Sequence, residues 1–194
     1  MNSLSLWERE GAAKRRKGEG DRVGTAMPIT IRPATTTDLP ALHPVIERAY
    51  RGEAARQGWT HEADLIEGPR TNLETLTAIV EDPAQVLLSA WEDGTAIGCV
   101  NVANRGHGTA YLGLLCIDPL RQAGGLGRQL IAAAEAHARD VFGCSRMELT
   151  VIEQRRTLIE YYLRRGYAET GARRDFPIPL DPPLFMTVLA KTLV

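Results

Sequence analysis

Cysteine is scarce in this chain of 194 residues: Cys99, Cys116 and Cys144 form no CxxC pair and show no metal-ligand spacing. An odd, scattered set excludes a disulfide framework and gives no reason to expect a bound metal. Cys99 and Cys116 fall in apolar strand patterns. They read as reduced, buried small hydrophobes, so a cytoplasmic setting is expected. No apolar run approaches the ~18 residues of a membrane-spanning helix, and the polar start lacks a signal-peptide core. No membrane partner is therefore expected. A formal net charge of −1 argues against nucleic acid as the partner. Gly11 to Gly24 is Gly, Lys, Arg and Glu with almost nothing to bury, so residues 1–26 are expected to be a disordered N-terminal extension. Lys14-Arg15-Arg16-Lys17 within it reads as a solvated charge run. The remainder, 27–194, is long enough for one domain with a full core.

What the chain does have is a glycine cluster between an apolar strand and a helix. Tyr111 to Ile117 is apolar, Asp118-Pro119 turns the chain, and Gly124, Gly125 and Gly127 open a helix. Glycines let a ligand approach the backbone, and the N–H groups of a loop and first helical turn converge on an anion. Arg121 and Arg128 flank the cluster, and no acid occurs from Pro119 to Ala134. Two rival phosphate loops fit poorly. A Walker loop needs Lys-Ser or Lys-Thr after its last glycine, where Arg128-Gln129 stands. A dinucleotide fingerprint needs a small residue where Leu130 stands, and Glu148, near the distance of a ribose-binding acid, falls inside a strand pattern.

The flanking pattern gives strands at Ile29 to Arg32, Val86 to Glu92, Ala96 to Ala103, Ala110 to Ile117 and Arg146 to Val151. Helices are expected from the N-cap residues Thr35-Thr36-Thr37-Asp38 onward to about Arg51, and at Asn72 to Val80, Gly125 to Val141 and Arg156 to Arg165, the last ended by Gly166. In the third, Leu126, Leu130, Ala133, Ala134, His137, Ala138 and Val141 form one stripe, which makes His137 a core or boundary residue. Arg173 to Pro183 reads as a proline-rich excursion before a final strand. The order is strand, two helices, three strands, helix, strand, helix, two strands. It predicts an α/β (α+β) fold with a mixed, largely antiparallel sheet of about seven strands and helices on both faces.

Gln122-x-x-Gly125-x-Gly127 resembles the acyl-CoA signature of the GNAT acetyltransferase superfamily. Tyr162-Leu163-Arg164-Arg165-Gly166-Tyr167 is similar to that family's Tyr-x-x-x-Gly-[Phe/Tyr] segment, and Phe185 to Leu193 looks like its final strand. The resemblance covers roughly Ile29 to Leu193, and Met27 to Pro33 looks like a natural family start. It implies acetyl-CoA as cosubstrate, no metal, and transfer of the acetyl group to a small-molecule or peptide amine. A homodimer is left open. The alternative it admits is a non-catalytic acyl-CoA sensor.

By the same resemblance the pyrophosphate sits on the N–H groups of Gln122, Ala123, Gly124, Gly125, Leu126 and Gly127, flanked by Arg121 and Arg128. The pantetheine arm pairs with Leu115, Cys116 and Ile117, and the Leu115 N–H faces the oxyanion. Tyr162 matches the family's general acid, and Arg155 stands where an asparagine often contacts the pantetheine. The strand before the loop carries no carboxylate, so Glu148 on the neighbouring strand is the first candidate base and Glu153 the second. His107 is set aside as a turn residue. Glu53, Trp59, Thr60, Glu62, Asp64, Glu67 and Arg70 fall where the family shapes its acceptor pocket.

Overall fold

A computed structural model describes residues 28–51 and 68–194. The tail and the segment carrying Glu53, Trp59, Thr60, Glu62, Asp64 and Glu67 lie outside the described residues. Strand β1 (Thr30–Pro33) leads through a 3-10 turn into helix α1 (Leu39–Tyr50). Asp38 anchors this entry, accepting from the Arg32 guanidinium at 2.7 and 2.8 Å and from the Thr35 N–H at 2.8 Å. Helix α2 (Leu73–Glu81) is capped by the Asn72 side chain, which accepts from the Thr75 N–H at 2.8 Å.

Strands β2 (Gln85–Glu92) and β3 (Thr95–Asn104) form a hairpin through Asp93-Gly94, both at positive φ. Then follow β4 (Thr109–Ile117), α3 (Leu126–Asp140), β5 (Arg146–Ile152), α4 (Arg156–Leu163), β6 (Ala168–Asp175) and β7 (Phe185–Thr192). The seven strands order as β1-β2-β3-β4-β5-β7-β6. Every neighbouring pair is antiparallel except β4 and β5.

The sheet divides the core in two. Leu39, Leu42, Val45 and Ile46 of α1 cover one face, with Leu76 of α2, Cys99 and Cys116. Leu126, Leu130, Ile131 and Ala134 of α3 cover the other, with Met147, Leu149, Val151 and the tyrosines of α4. The alternation along β5 thus sends Met147, Leu149 and Val151 to the α3 side. Glu148 and Thr150 face the opposite way. Cys99 and Cys116 are register partners with sulfurs 3.5 Å apart and remain free thiols.

Two expectations need correction. Val141 lies beyond the end of α3 and is 64% exposed, because the chain turns away at Gly143 with φ +65°. His137 remains on the helix as a boundary residue, edge-on to Phe142 at 4.9 Å. The presumed excursion from Arg173 is still strand through Asp175, paired to β7 by Arg173↔Thr187, Arg174↔Met186 and Asp175↔Phe185. Charged residues are tolerated there because β6 is an edge strand exposed along its whole length. No helix among the described residues is long and apolar enough to cross a membrane.

Candidate active site

The parallel pairing of β4 with β5 stops after three residue pairs, Thr109↔Arg146, Ala110↔Met147 and Tyr111↔Glu148. Beyond Tyr111 the strands part. The cause is a bulge: Asn101 faces Gly113 and Cys99 faces Cys116, so Leu114 and Leu115 together oppose Val100. Leu114 sits at φ +48°, a region that costs a branched residue about 1–3 kcal/mol. Its carbonyl is turned toward the Cys99 sulfur at 3.8 Å. A trans peptide sets N–H opposite C=O, so the Leu115 N–H points to the gap. The next carbonyl, of Leu115, accepts a 2.7 Å hydrogen bond from the buried Tyr50 hydroxyl on α1. Neither the bulge nor this tether announces itself in an all-apolar strand; the lone Gly113 was the available signal.

The gap holds a cavity of about 310 Å³. Leu112 to Leu115 form one wall and Leu149 to Ile152 the other. Tyr50, Arg155, Tyr162 and the loop Phe176-Pro177-Ile178 close it. No carboxylate is among the described lining residues. Across its floor the hydroxyls of Tyr111 and Thr150 share a hydrogen bond of 2.7 Å.

Tyr162 is 5% exposed, and burial pushes its phenol well above the usual tyrosine range, the nearby Tyr161 adding to the rise and Arg155 opposing it. Adjacent Tyr161 points elsewhere. Its ring lies under the Arg165 guanidinium, and its hydroxyl abuts Gly127.

A second opening, on the α1 side of the sheet, shares Tyr111, Thr150 and Met186 with the first and adds Arg105, Thr109, Glu148 and Arg174. Here Glu148, the first candidate base, is held on both oxygens. Glu148 Oε1 accepts from Arg146 at 3.1 Å and Oε2 from Arg174 at 3.1 Å. Each oxygen already holds a charge-assisted hydrogen bond, so taking a proton would disrupt this clamp. Glu153 is likewise held, by Arg173 at 2.8 Å. His107 is the turn residue expected, at φ +50°.

At the other end β4 runs into a 3-10 turn, Pro119–Gly124, then Gly125 at φ +73° and α3. Asp118 starts the turn, its carboxylate accepting from the Leu120 N–H at 3.1 Å and from Arg48 at 2.7 Å. The backbone of Gln122, Ala123 and Gly124 belongs to the turn. Leu126 and Gly127 begin the helix, whose first N–H groups lack intrahelical acceptors. A Cβ at Gly125 would meet only Arg128 at 3.7 Å, so the mouth is open for an anionic ligand. Arg121 is paired with Glu92 on β2, which leaves Arg128 as the exposed cation nearest Gly125. Gly127 has a different reason to be glycine: a Cβ there would lie 2.7 Å from the Tyr161 hydroxyl and 3.1 Å from Ile117 Cδ1.

In this fold two strands part beside a glycine-led helix. Residues 46–167 match the family described as Acetyltransferase (GNAT) family, and the chain belongs to it. Mycothiol acetyltransferase of Salinispora tropica is 35% identical over 74 residues, spanning 37% of this chain and 24% of that protein. The chain thus matches about a quarter of that relative's length. The ribosomal-protein-S18-alanine N-acetyltransferase of Escherichia coli superposes with a TM-score of 0.67 at 20% identity, covering 86% of this chain and 94% of that one. The protein yncA of Salmonella typhimurium, solved with its cofactor acetyl-CoA, superposes with a TM-score of 0.66 at 20% identity, covering 86% and 95%. At these identities the likeness establishes the seven-stranded α/β fold.

Proposed function

We propose that this chain is an acetyl-CoA-dependent N-acetyltransferase that transfers the acetyl group to a primary amine by direct attack. One observation carries the reading. The β4 edge beyond Tyr111 is unpaired with β5, faces a cavity, and ends at a glycine-led helix N-terminus. The chain's residues fit the ligand. The edge from Leu115 through Cys116 to Ile117 can pair with an extended amide-containing arm as an added strand would. The turn from Gln122 through Ala123, Gly124, Gly125 and Leu126 to Gly127, with Arg128, suits a pyrophosphate. Arg155 lines the cavity between them. The Arg121–Glu92 pair makes Arg121 a brace for the turn.

When bound, acetyl-CoA supplies an activated thioester. The Leu115 N–H, fixed by the bulge, donates to the carbonyl oxygen as negative charge develops on it. Tyr162 donates toward the departing sulfur. Its raised value keeps it protonated across the neutral range, yet complete transfer to a thiolate of ordinary pKa near 8.5 is uphill by more than about 1.5 units, roughly 2 kcal/mol. Tyr162 therefore stabilises the leaving group mainly as a hydrogen-bond donor. Neutralising a lysine-like amine at pH 7 costs roughly 4 kcal/mol. With Glu148 clamped, the Tyr111 and Thr150 hydroxyls lead that proton to solvent water. The rate should then rise with pH through the acceptor amine's own pKa.

The experiment is thiol release with an amine panel, followed as a function of pH for two acceptors of different basicity. Profiles that shift in parallel with the acceptor support the reading. A fixed limb that disappears in Glu148→Gln would restore Glu148 as base. The absence of a carboxylate from the described cavity lining favours a second reading, a non-catalytic acyl-CoA sensor. Calorimetric binding of acetyl-CoA with transfer to no amine would establish that one.

A further inference from the structure

The side opening on the α1 face of the sheet is cationic. Its described lining carries Arg105 and Arg174 against one carboxylate, Glu148, and Arg146 shares that same carboxylate from outside. Two guanidinium groups thus hold one acid, and a third, Arg105, lines the same opening. Glu153, the next acid along β5, is taken by Arg173. The Arg105 guanidinium carbon stands over the Tyr111 ring, 5.4 Å from its centroid, a contact that leaves guanidinium N–H donors to spare. Among the described residues Arg105 has no carboxylate partner. The Arg174 side chain, 50% exposed, gives Glu148 one 3.1 Å bond and keeps donors for a second anion.

From this we infer that the acceptor amine carries an anionic group, a carboxylate or a phosphate, which docks between Arg105 and Arg174. The inference rests on the acetyltransferase reading for the position of the amine. The two openings share Tyr111, Thr150 and Met186, so one molecule can reach from one to the other. Tyr111 marks the anionic end and Leu115 the end where the acetyl carbonyl docks. Four residues of strand separate them, about 13 Å at ordinary rise, less the shortening by the bulge. The amine and the anion are therefore on the order of 10 Å apart, the span of two to three extended residues. A free α-amino acid is too short; a di- or tripeptide or an aminoalkyl phosphate is of the right length.

The test uses a matched set of terminal amines with three chain lengths, each ending in a carboxylate, a phosphate or an uncharged amide. Each is measured for acetyl transfer and, by calorimetry, for binding to the full chain saturated with CoA. A charged end should lower KM at least 10-fold relative to the amide at the best length, and the better of carboxylate and phosphate identifies the source of the anion. Arg105→Ala should raise KM for the charged acceptor about 10- to 100-fold, leave KM for the amide within twofold, and leave acetyl-CoA affinity intact. Glu148→Gln removes the competing negative charge and should tighten the charged acceptor. Equal KM values for charged and amide ends, or a preference for a second amine in place of the anion, would overturn the inference. Charge-dependent binding without transfer would sink the transferase reading and keep the anion site. Transfer without charge preference would do the reverse.

Discussion

Leu114 shows how much rests on a single dihedral. Its positive φ aims the Leu115 N–H at the gap, and the Tyr50 tether at 2.7 Å holds the following peptide. Nothing in Leu-Leu-Cys-Ile hints at this, because the strain is carried by the surroundings and not by a turn-forming residue. Tyr162 is the opposite case: its place on α4 was legible from the spacing to Gly166, and only its degree of burial was not. Replacing Tyr162 with Phe keeps the ring and its edge contacts to Tyr161 at 5.5 Å and Tyr167 at 5.6 Å. Turnover should fall about 10²-fold, the cost of one donor to developing charge. Acetyl-CoA affinity by calorimetry should change less than threefold, because this bond matters chiefly in the transition state. Unchanged turnover would mean that the sulfur departs with help from water alone.

At the scale of elements, α3 and α4 meet through Gly127 and Tyr161. The sequence singles this glycine out for its place at the start of a helix, but its contact with Tyr161 was not legible, since the two are brought together only by the sheet beneath them. A methyl at position 127 would press on the phenolic oxygen at 2.7 Å. Gly127→Ala should therefore destabilise the fold by about 1–3 kcal/mol through overpacking. Tyr161→Phe deletes that oxygen and should return much of the loss in the double variant, a coupling that denaturant melts of the four-member cycle can read. Additive losses would show that the methyl is rejected by Ile117 or the helix instead. The strands and helices themselves were readable because hydrophobic period and caps act locally. Arg173, Arg174 and Asp175 of the edge strand β6 read as an excursion because they carry no apolar alternation.

For the whole molecule, the titrating groups confine stability from both sides. The Arg32 hydrogen bonds hold the Asp38 carboxyl well below the usual carboxylate range, so its contribution is present above about pH 4 and is lost as pH falls below that. Burial lowers His137 below the ordinary histidine value. The unfolded chain then binds its proton first, and stability declines as pH falls through about 6.5. Burial raises Tyr161, Tyr162 and Tyr167 above the usual range. The unfolded chain ionises these phenols first, so stability declines as pH climbs past about 10. The Cys116 hydrogen bond and burial raise the Cys99 thiol, and burial raises Cys144, so the melting temperature should be flat only between roughly pH 7 and 8.5, where the unfolded thiols begin to ionise. Phenolate absorbance of these three should appear together with the loss of helix signal. His137→Gln should flatten the shoulder near pH 6, and an unchanged shoulder would assign it to another group.

The short joint between β4 and β5 has a mechanical consequence. Only three residue pairs rivet the half-sheet β1–β4 to the half-sheet β5–β7, and the rest of that seam is left for a guest. A guest lying along the seam is a keystone: it carries load between two plates that otherwise lean on a narrow hinge and on the helices across it. Hydrogen exchange on the empty protein should report two plates with separate opening rates. With acetyl-CoA in the seam the two rates should merge and slow together. Independent rates in the loaded protein would show that the plates were already one body without it.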